Sequence, residues 1–450
     1  MPGLGASQVP RQWLSVDEFQ EMLHDGGLIS PKVDVLLHGH LGNCQEHDKL
    51  KDYPPSGGLH SRQFPEAPDS QVLLFIFAVL AVGAATEEKL TMSTSSDFSA
   101  AIDQVLQNFA DPETGRSIKQ LQQVNNVQVD GNRVLVKIGL TSYSAPLWED
   151  TRNNLQQQLC TQLPGSPEVV VELTEHIRPA EPIGGIGLTA KSVIAVGSGK
   201  GGVGKSTVAS SIAIGLQQAG CKVGLMDADV YGPSIPHLLG VDEKPTAVEK
   251  QLQPVESAGL KVMSMGFLVP PGEAVVWRGP MLHGAITQFL RDTAWGDLDY
   301  LIIDMPPGTG DIALTLSQLL PLTGAVVVCT PQDVALLDAV KAIAMFQKVN
   351  IPILGMVENM SYFLCPDNGL RYDIFGSGGA REKSEQLAVP FLGEIPIQIA
   401  IRKRGDAGET TGNFVDQESA PHFQKICYSL VHNIATQKKS EPAMPSLSVL

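Results

Sequence analysis

Short apolar runs recur through residues 191–438, separated by stretches of helical periodicity. Uninterrupted runs of this length are typical of strands that are buried on both faces of a parallel sheet. They lie at Val193–Val196, Val223–Met226, Tyr300–Ile303, Val326–Cys329 and Ile353–Val357. Helical periodicity follows the first run over Val208–Gln218 and the third over Ile312–Leu320. This alternation predicts an α/β fold with a doubly wound, mostly parallel sheet.

A different pattern fills residues 95–175. It predicts, in order, a helix over Ser96–Phe109, strands over Val124–Val129 and Val134–Leu140, a helix over Thr151–Leu163 and a strand over Val169–Leu173. The two adjacent strands form a predicted hairpin around Asp130 and Gly131. We expect a small α/β domain of about 80 residues here, joined by the Pro- and Gly-containing linker 176–190 to the larger domain.

Composition places the protein among ordinary globular chains. Of its 450 residues, 43% are hydrophobic and 18% are charged, which is typical of a soluble protein with two or three domains. The formal net charge of −16 argues against non-specific binding to nucleic acid, because phosphate backbones require basic patches. The six cysteines show no paired spacing, so we expect no disulfide framework and a reducing, cytoplasmic compartment.

Both ends of the chain lack this periodicity. Residues 1–91 are interpreted as a poorly ordered or non-native extension, because Met92 opens a segment that looks like a natural start before a helix. The apolar run Val72–Ala85 is short for a membrane span, which needs about 20 residues, so we expect no stable membrane insertion. Residues 439–450 are predicted to be a flexible tail.

The loop after the first buried strand carries the clearest chemistry. Lys191–Thr207 reads KSVIAVGSGKGGVGKST. Its glycines let backbone N–H groups converge on phosphate oxygens, and the helix that follows adds a favourable dipole. Strand, glycine loop, lysine, hydroxyl and helix form the pattern of a phosphate-binding loop; a glycine-rich turn would share only the glycines. We expect the nucleotide to contact Gly199, Lys200, Gly201, Gly202, Val203, Gly204, Lys205, Ser206 and Thr207.

Carboxylates follow two of the other predicted strands. Because ligands bind at the carboxyl edge of a parallel sheet, Asp227, Asp229 and Asp304 are expected to lie beside the loop. Ser206 would ligate Mg²⁺, and Asp304 and Asp227 would reach it through water. Lys205 would neutralise the phosphates of ATP while Asp229 positions the attacking water. For Asp227, the alternative of a turn cap stays open.

A second lysine makes the loop more specific. Lys200 gives the form GKGGVGK. In an arbitrary P-loop we would interpret such a residue as a solvated loop lysine. This form resembles the deviant Walker A group, which includes MinD, ParA, the nitrogenase iron protein and the Mrp/ApbC proteins. The resemblance implies a homodimer with ATP between its protomers, in which Lys200 touches the partner's nucleotide and Asp229 is the switch aspartate. It also implies that Asn359, which ends the predicted strand Ile353–Val357, hydrogen-bonds adenine; the alternative is an Asn that only caps a turn.

Other segments narrow the resemblance to the Mrp/ApbC family. They are Asp111–Gly115, Leu140–Leu147, Trp277–Met281, Thr330–Ala335 and Phe375–Gly379. Members are ATPases that bind iron–sulfur clusters, so the resemblance implies a cluster carrier that serves apo iron–sulfur proteins and works with assembly factors. The small domain resembles one that precedes the ATPase in many Mrp proteins. We interpret it as an interaction module, because Ala145 stands where the family often has a cysteine.

The expected cluster site departs from the family pattern. Many members carry Cys-x-x-Cys where this chain has Cys365 and Asn368, so a homodimer offers two thiolates for a bridging [4Fe–4S] cluster that takes four ligands. Asp367 could complete the set, a partner could supply the remainder, or Cys365 could be an ordinary cysteine. The other cysteines of the two predicted domains are interpreted as structural: Cys160, Cys221, Cys329 and Cys427.

Two alternatives to an ATP-hydrolysing cluster carrier stay open on the sequence. A cluster-free regulatory ATPase would fit the loss of the second cysteine. A positioning ATPase of the MinD or ParA kind would share the loop. The sequence of the tail 437–450, however, has two prolines and no basic amphipathic face, and the net charge disfavours DNA binding. The cluster carrier is therefore the leading expectation.

Overall fold

The computed structural model describes residues 98–249, 251–268, 279–308 and 310–440. Its helices are α1 (98–108), α2 (Trp148–Gln162), α3 (Lys205–Gln218), α4 (Ile235–Leu238), α5 (Gly279–Asp292), α6 (Gly310–Leu319), α7 (Asp333–Lys348), α8 (Gly379–Gln386), α9 (Ile399–Ala407) and α10 (Ala420–Ser440). Short 3₁₀ segments cover Ser142–Leu147, Met265–Leu268 and Thr410–Phe414.

The strands form three sheets. In chain order they are β1 (Val124–Asp130), β2 (Arg133–Leu140), β3 (Glu168–Glu175), β4 (Pro182–Ile183), β5 (Leu188–Gly197), β6 (Val223–Asp227), β7 (Thr246–Val248), β8 (Gln251–Gln253), β9 (Val255–Ser257), β10 (Leu260–Ser264), β11 (Leu298–Asp304), β12 (Gly324–Cys329), β13 (Ile353–Leu364), β14 (Arg371–Tyr372) and β15 (Phe391–Ile397). The large sheet has the order β14-β13-β12-β5-β11-β6-β10-β9, with β15 on β13 and β4 on β5. Strands β7 and β8 form a separate hairpin.

The centre of the large sheet is parallel and buried, as the apolar runs predicted. Every pairing among β10, β6, β11, β5, β12, β13 and β15 is parallel. One face is covered by α3 and α10, whose Ile212 and Leu430 are buried against Ile194. The other face is covered by α5, α6 and α7, which contribute residues such as Phe289 and Ile343. Helices on both faces confirm the predicted doubly wound α/β architecture.

The small region, residues 98–175, has its own apolar core. Strand β2 pairs antiparallel with β1 and parallel with β3. Side chains from α1 and α2, among them Leu106 and Leu159, pack on Val136 of this sheet. The predicted hairpin is present, while α2 begins at Trp148, three residues before the predicted start. The described residues of the small region and of the large sheet all belong to one compact unit.

Several boundaries differ from the predictions. The predicted linker 176–190 contains all of β4 and the first residues of β5, which begins at Leu188 and pairs with β4. Helix α10 continues to Ser440. Asn359 was predicted to end its strand, but β13 continues to Leu364. The strand continues because its buried polar residues are satisfied: Glu358 accepts hydrogen bonds from Gly378 N, Ala380 N and Ser361 Oγ.

No helix in the described part of the chain is long and apolar enough to cross a bilayer. The extension 1–91, its apolar run Val72–Ala85, the Met92 start and residues 441–450 lie outside the described residues.

Candidate functional site

The loop between β5 and α3 requires glycine at particular positions. Gly202 and Gly204 adopt left-handed φ values of 81° and 80°, and Gly204 caps the start of α3. A Cβ on Gly199 would lie 2.1 Å from the carbonyl oxygen of Asp338 in α7. The loop is therefore held close to α7, and its amides are left clear of side chains.

Lys205 is buried and paired with two carboxylates. Its ammonium lies 2.5 Å from Asp304 Oδ1 and 3.7 Å from Asp229 Oδ2, and it donates to Ser206 Oγ at 3.2 Å. The lysine side chain is only 6% exposed, so the two acidic partners provide the charge compensation that burial requires. Three of the residues predicted for catalysis and Mg²⁺ thus meet around one ammonium.

Asp304 is the last residue of β11, which lies between β5 and β6 in the sheet. Burial raises the pKa of this carboxyl, while the charge of Lys205 opposes the rise. Its second oxygen, Oδ2, is buried without a protein partner in the described structure. An orphaned carboxylate oxygen beside the hydroxyl of Ser206 suits a hard cation or its bound water, so the residues present fit Mg²⁺.

Asp227 is more committed to the protein than the sequence suggested. It pairs in register with Asp304 on the neighbouring strand. Its oxygens accept hydrogen bonds from Asp229 N, Ile235 N and Ser264 Oγ. Burial and the charge of Asp304 raise the pKa of Asp227 to about 7. These contacts match the turn-cap alternative, and its role toward Mg²⁺ stays a prediction.

Asp229 instead borders open space. Its Oδ1 accepts hydrogen bonds from the amides of Tyr231 and Gly232, at 3.2 Å each, which orient the carboxylate. A cavity of about 650 Å³ lies in front of it. Its lining includes Ser198, Lys200, Gly201, Gly202, Gly204, Lys205, Ser206, Thr207, Asp229, Tyr231, His237, Pro306 and Pro307. The cavity therefore joins the phosphate loop, the candidate catalytic aspartate and the segment after Asp304.

Asn359 contacts the loop from β13. Its amide nitrogen donates to Val203 O at 2.9 Å, and the side chain is buried. This contact places the amide against the phosphate loop, and adenine recognition by Asn359 stays a prediction. Val203 itself is buried, so within the predicted set it contributes backbone rather than side chain.

Cys365 lies in a hairpin between β13 and β14. The turn is closed by Cys365 N donating to Leu370 O at 2.9 Å, and Asn368 Oδ1 accepts from Leu370 N at 2.9 Å. Cys365 is partly exposed, and Leu364 and Leu370 beside it are exposed apolar residues. Within the described residues no group of three or more His, Cys, Asp or Glu side chains could hold a metal ion.

The other cysteines in the described residues divide into two groups. Cys221, Cys329 and Cys427 are buried, as their interpretation as structural residues predicted. Cys160 was included with them and is exposed, because it lies on the solvent side of α2. The position of Cys160 in a predicted helix therefore did not predict whether its side chain is buried.

The sequence did not predict the roles of two further sets of residues. Glu358 is fully buried and accepts a hydrogen bond from Ala380 N at the N-terminus of α8. The sequence feature that could have indicated it is a charged residue directly after an apolar run. The second set joins the small region to the large sheet: Glu113, Ser142, Tyr143, Lys191, Ser192, Asp299, Tyr300 and Lys438. Several of these residues lie in segments that the sequence singled out, but their contacts could not be predicted because the two sides are far apart in sequence.

Comparison with known families now decides the class. Residues 189–434, more than half of the chain, match the family described as NUBPL iron-transfer P-loop NTPase. This chain belongs to the NUBPL iron-transfer P-loop NTPase family. Residues 99–173 also match the family described as iron-sulfur cluster assembly protein. Both matches confirm the resemblance that the motifs indicated.

Relatives with the name iron-sulfur cluster carrier protein span most of this NUBPL-family chain. The protein of Deinococcus radiodurans is 49% identical over 310 residues, which are 68% of this chain and 87% of that protein. The protein of Synechocystis is 45% identical over 320 residues, 68% and 89% of the two chains. Among solved structures, a nucleotide-binding protein of Archaeoglobus fulgidus in complex with ADP is 44% identical, with 49% and 88% coverage and a TM-score of 0.45.

Proposed function

We propose that this protein binds and hydrolyses ATP and carries iron–sulfur clusters to apoproteins. The observation that carries the ATPase part is the convergence of Lys205, Asp229 and Asp304 on one cavity beside the glycine loop. The carrier part is supported by the name of relatives that align with two thirds of the chain. Hydrolysis would drive the opening of a dimer and the hand-over of the cluster.

The contacts of Lys205 suggest how ATP would rearrange the site. Its ammonium compensates the charges of Asp304 and Asp229. When ATP binds, the ammonium would pair with the phosphates instead, because they carry more negative charge in the same cavity. Asp229 would then be free to orient water, with its Oδ1 still fixed by two amides. Ser206 and Asp304 would hold Mg²⁺, which would neutralise charge on the phosphates.

A homodimer across this face fits the exposed residues. Lys200 lines the cavity rather than contributing to the core. Val334 and Leu337 lie one turn apart on α7 and are 65% and 62% exposed. Because α7 also touches Gly199, a partner that covered this apolar pair would face the nucleotide of the first protomer. We propose that Lys200 then reaches the partner's nucleotide.

The cluster would be cargo held at Cys365, with apo iron–sulfur proteins and assembly factors as partners. The partly exposed thiol and its apolar neighbours Leu364 and Leu370 suit transient contact with another protein. The five described cysteines are all free, which supports a reducing compartment such as the cytoplasm.

Anaerobic reconstitution with iron and sulfide tests the cargo site. Wild type is expected to turn brown and hold about four irons per dimer, because a [4Fe–4S] cluster would bridge the protomers. Cys365→Ala is expected to lose this iron. Cys160→Ser is the matched control: Cys160 is also exposed but lies on α2, so its removal is expected to leave the iron count unchanged.

A colourless protein that hydrolyses ATP would contradict the carrier and favour a cluster-free regulatory ATPase. One observation supports this second candidate: Asn368, in place of a second cysteine, has a turn-forming role of its own through Leu370 N. Equal iron loss in both cysteine variants would also contradict a specific site at Cys365.

A further inference from the structure

Tyr143 of the small region contacts two neighbouring strands of the large sheet. Its hydroxyl lies 2.8 Å from Ser192 Oγ in β5. Its ring stacks on Tyr300 of β11, with ring centroids 4.6 Å apart and planes at 11°. Tyr300 Oη donates to the carbonyl of Tyr143 at 2.7 Å. Ser192 and Tyr300 are directly paired across the two strands, so one residue holds both.

Charged residues frame this contact. Lys191, next to Ser192, bridges Asp299 at 3.0 Å and Glu113 of the small region at 3.4 Å. Ser142 Oγ donates to Asp299 Oδ2 at 2.7 Å. The side chains of Lys191, Glu113 and Asp299 are at most 10% exposed. Removing one of these charges would leave another buried without its partner, which would lower the stability of the fold.

Lys438 at the end of α10 adds a cation to this contact. Its ammonium lies 4.6 Å from the centre of the Tyr143 ring and 3.3 Å from the hydroxyl. Tyr143 is only 1% exposed as a result. A buried tyrosine between an aromatic ring and an ammonium has little freedom to move, so the small region is docked rather than loosely tethered.

The same two strands end at the nucleotide site. Strand β5 runs from the contact at Ser192 into the glycine loop, and β11 runs from Tyr300 to Asp304, four residues and about 13 Å further. The strands are paired residue by residue along this length. A change in their relative position at one end would therefore alter the distance between the start of the glycine loop and Asp304 at the other.

We propose that Tyr143 is a positioning residue for the nucleotide site, so that docking of the small region and nucleotide binding strengthen each other. This rests on the nucleotide binding in the proposed function and is independent of the iron–sulfur cargo. Docking would fix β5 and β11. Nucleotide binding would then cost less conformational entropy of the protein, so the nucleotide would bind more tightly. Coupling of this kind is reciprocal and typically corresponds to about five- to 150-fold in affinity.

The first arm of the test measures ATP and ADP affinity with Mg²⁺ in the full chain. Tyr143→Ala is expected to weaken binding by about fivefold or more, within the range of such couplings. Tyr143→Phe keeps the stack on Tyr300 and loses only the hydroxyl contact, so it is expected to restore most of the affinity. Tyr428→Phe is the matched control, because the Tyr428 hydroxyl also bonds to the small region but its partner is Asp150 of α2 rather than a residue of β5 or β11.

The second arm needs no substitution and stays valid if Tyr143→Ala does not fold. Cys221 Sγ lies against the carbonyl of Tyr143, and burial, followed by the charge of Asp299, raises the pKa of its thiol. It therefore reacts slowly with a maleimide until the small region undocks. Nucleotide is expected to slow labelling of Cys221 more than that of Cys329, which is buried within β12, with sites identified by peptide mass.

The outcomes separate the two proposals. If wild type binds nucleotide but Tyr143→Ala binds as tightly, or if Cys221 and Cys329 are protected equally, the positioning role is wrong and the ATPase stands. Equal protection would indicate that labelling follows global unfolding. If wild type binds no nucleotide, both the ATPase and the positioning role are wrong.

Discussion

Replacing Lys205 with methionine is expected to abolish ATP hydrolysis and also to destabilise the nucleotide-free protein by about 3–5 kcal/mol. The second effect follows because the lysine is the buried partner of Asp304 and Asp229. Steady-state ATPase assays and denaturant unfolding measure the two effects on the same sample. Methionine keeps the apolar length of the side chain, so the loss reports the charge.

The stability loss should depend on pH. Lys205 holds the pKa of Asp304 down against burial, so the variant raises that pKa further. A carboxyl whose pKa is higher in the folded state stabilises the fold at low pH and loses this contribution as pH rises. The deficit relative to wild type is therefore expected to grow from about pH 4, the ordinary value for aspartate, toward neutral pH.

Lys200→Met is the matched control for this experiment. Lys200 lies in the same loop but lines the cavity and is not paired with the buried carboxylates. It is expected to lower hydrolysis without the pH-dependent loss of stability. A Lys205→Met protein as stable as wild type at pH 8 would contradict the compensating role of the lysine.

Gly199→Ala is expected to destroy nucleotide binding by moving the loop. The added methyl would lie 2.1 Å from the carbonyl oxygen of Asp338 and 2.2 Å from its carbon. Because those atoms are backbone of α7, the loop or the helix has to shift. Overpacking of this kind costs about 1–3 kcal/mol of stability, and a shift of about 1 Å at a reactive site can cost on the order of 100-fold in rate.

Gly201→Ala controls for the loss of a loop glycine. A methyl there meets only Pro307 Cγ, at 3.8 Å, so the melting temperature is expected to stay close to that of wild type. Calorimetric melting and equilibrium titration with ADP measure both variants. Wild-type affinity in Gly199→Ala would show that the loop tolerates displacement from α7.

The wrong or incomplete predictions share one physical cause. The strand was predicted to end at Asn359, yet β13 continues past it: Glu358 stays buried by accepting hydrogen bonds from the start of α8, and Ser361 stays buried by donating to Glu358. Cys160 was grouped with buried cysteines, and the side of α2 on which it lies depends on what packs there. In each case the outcome depended on residues distant in sequence.

The sequence by itself determined the strand–loop–helix of the phosphate site, the doubly wound sheet and the position of Asp229 and Asp304 at its edge. These features depend on local periodicity, glycine spacing and the rule that parallel strands end together. Only the tertiary structure decided that Lys205 pairs with two carboxylates and that Tyr143 contacts both strands behind the site. Tyr143 and Tyr300 are 157 positions apart, and a pairing at that separation is selected by packing rather than by any local pattern.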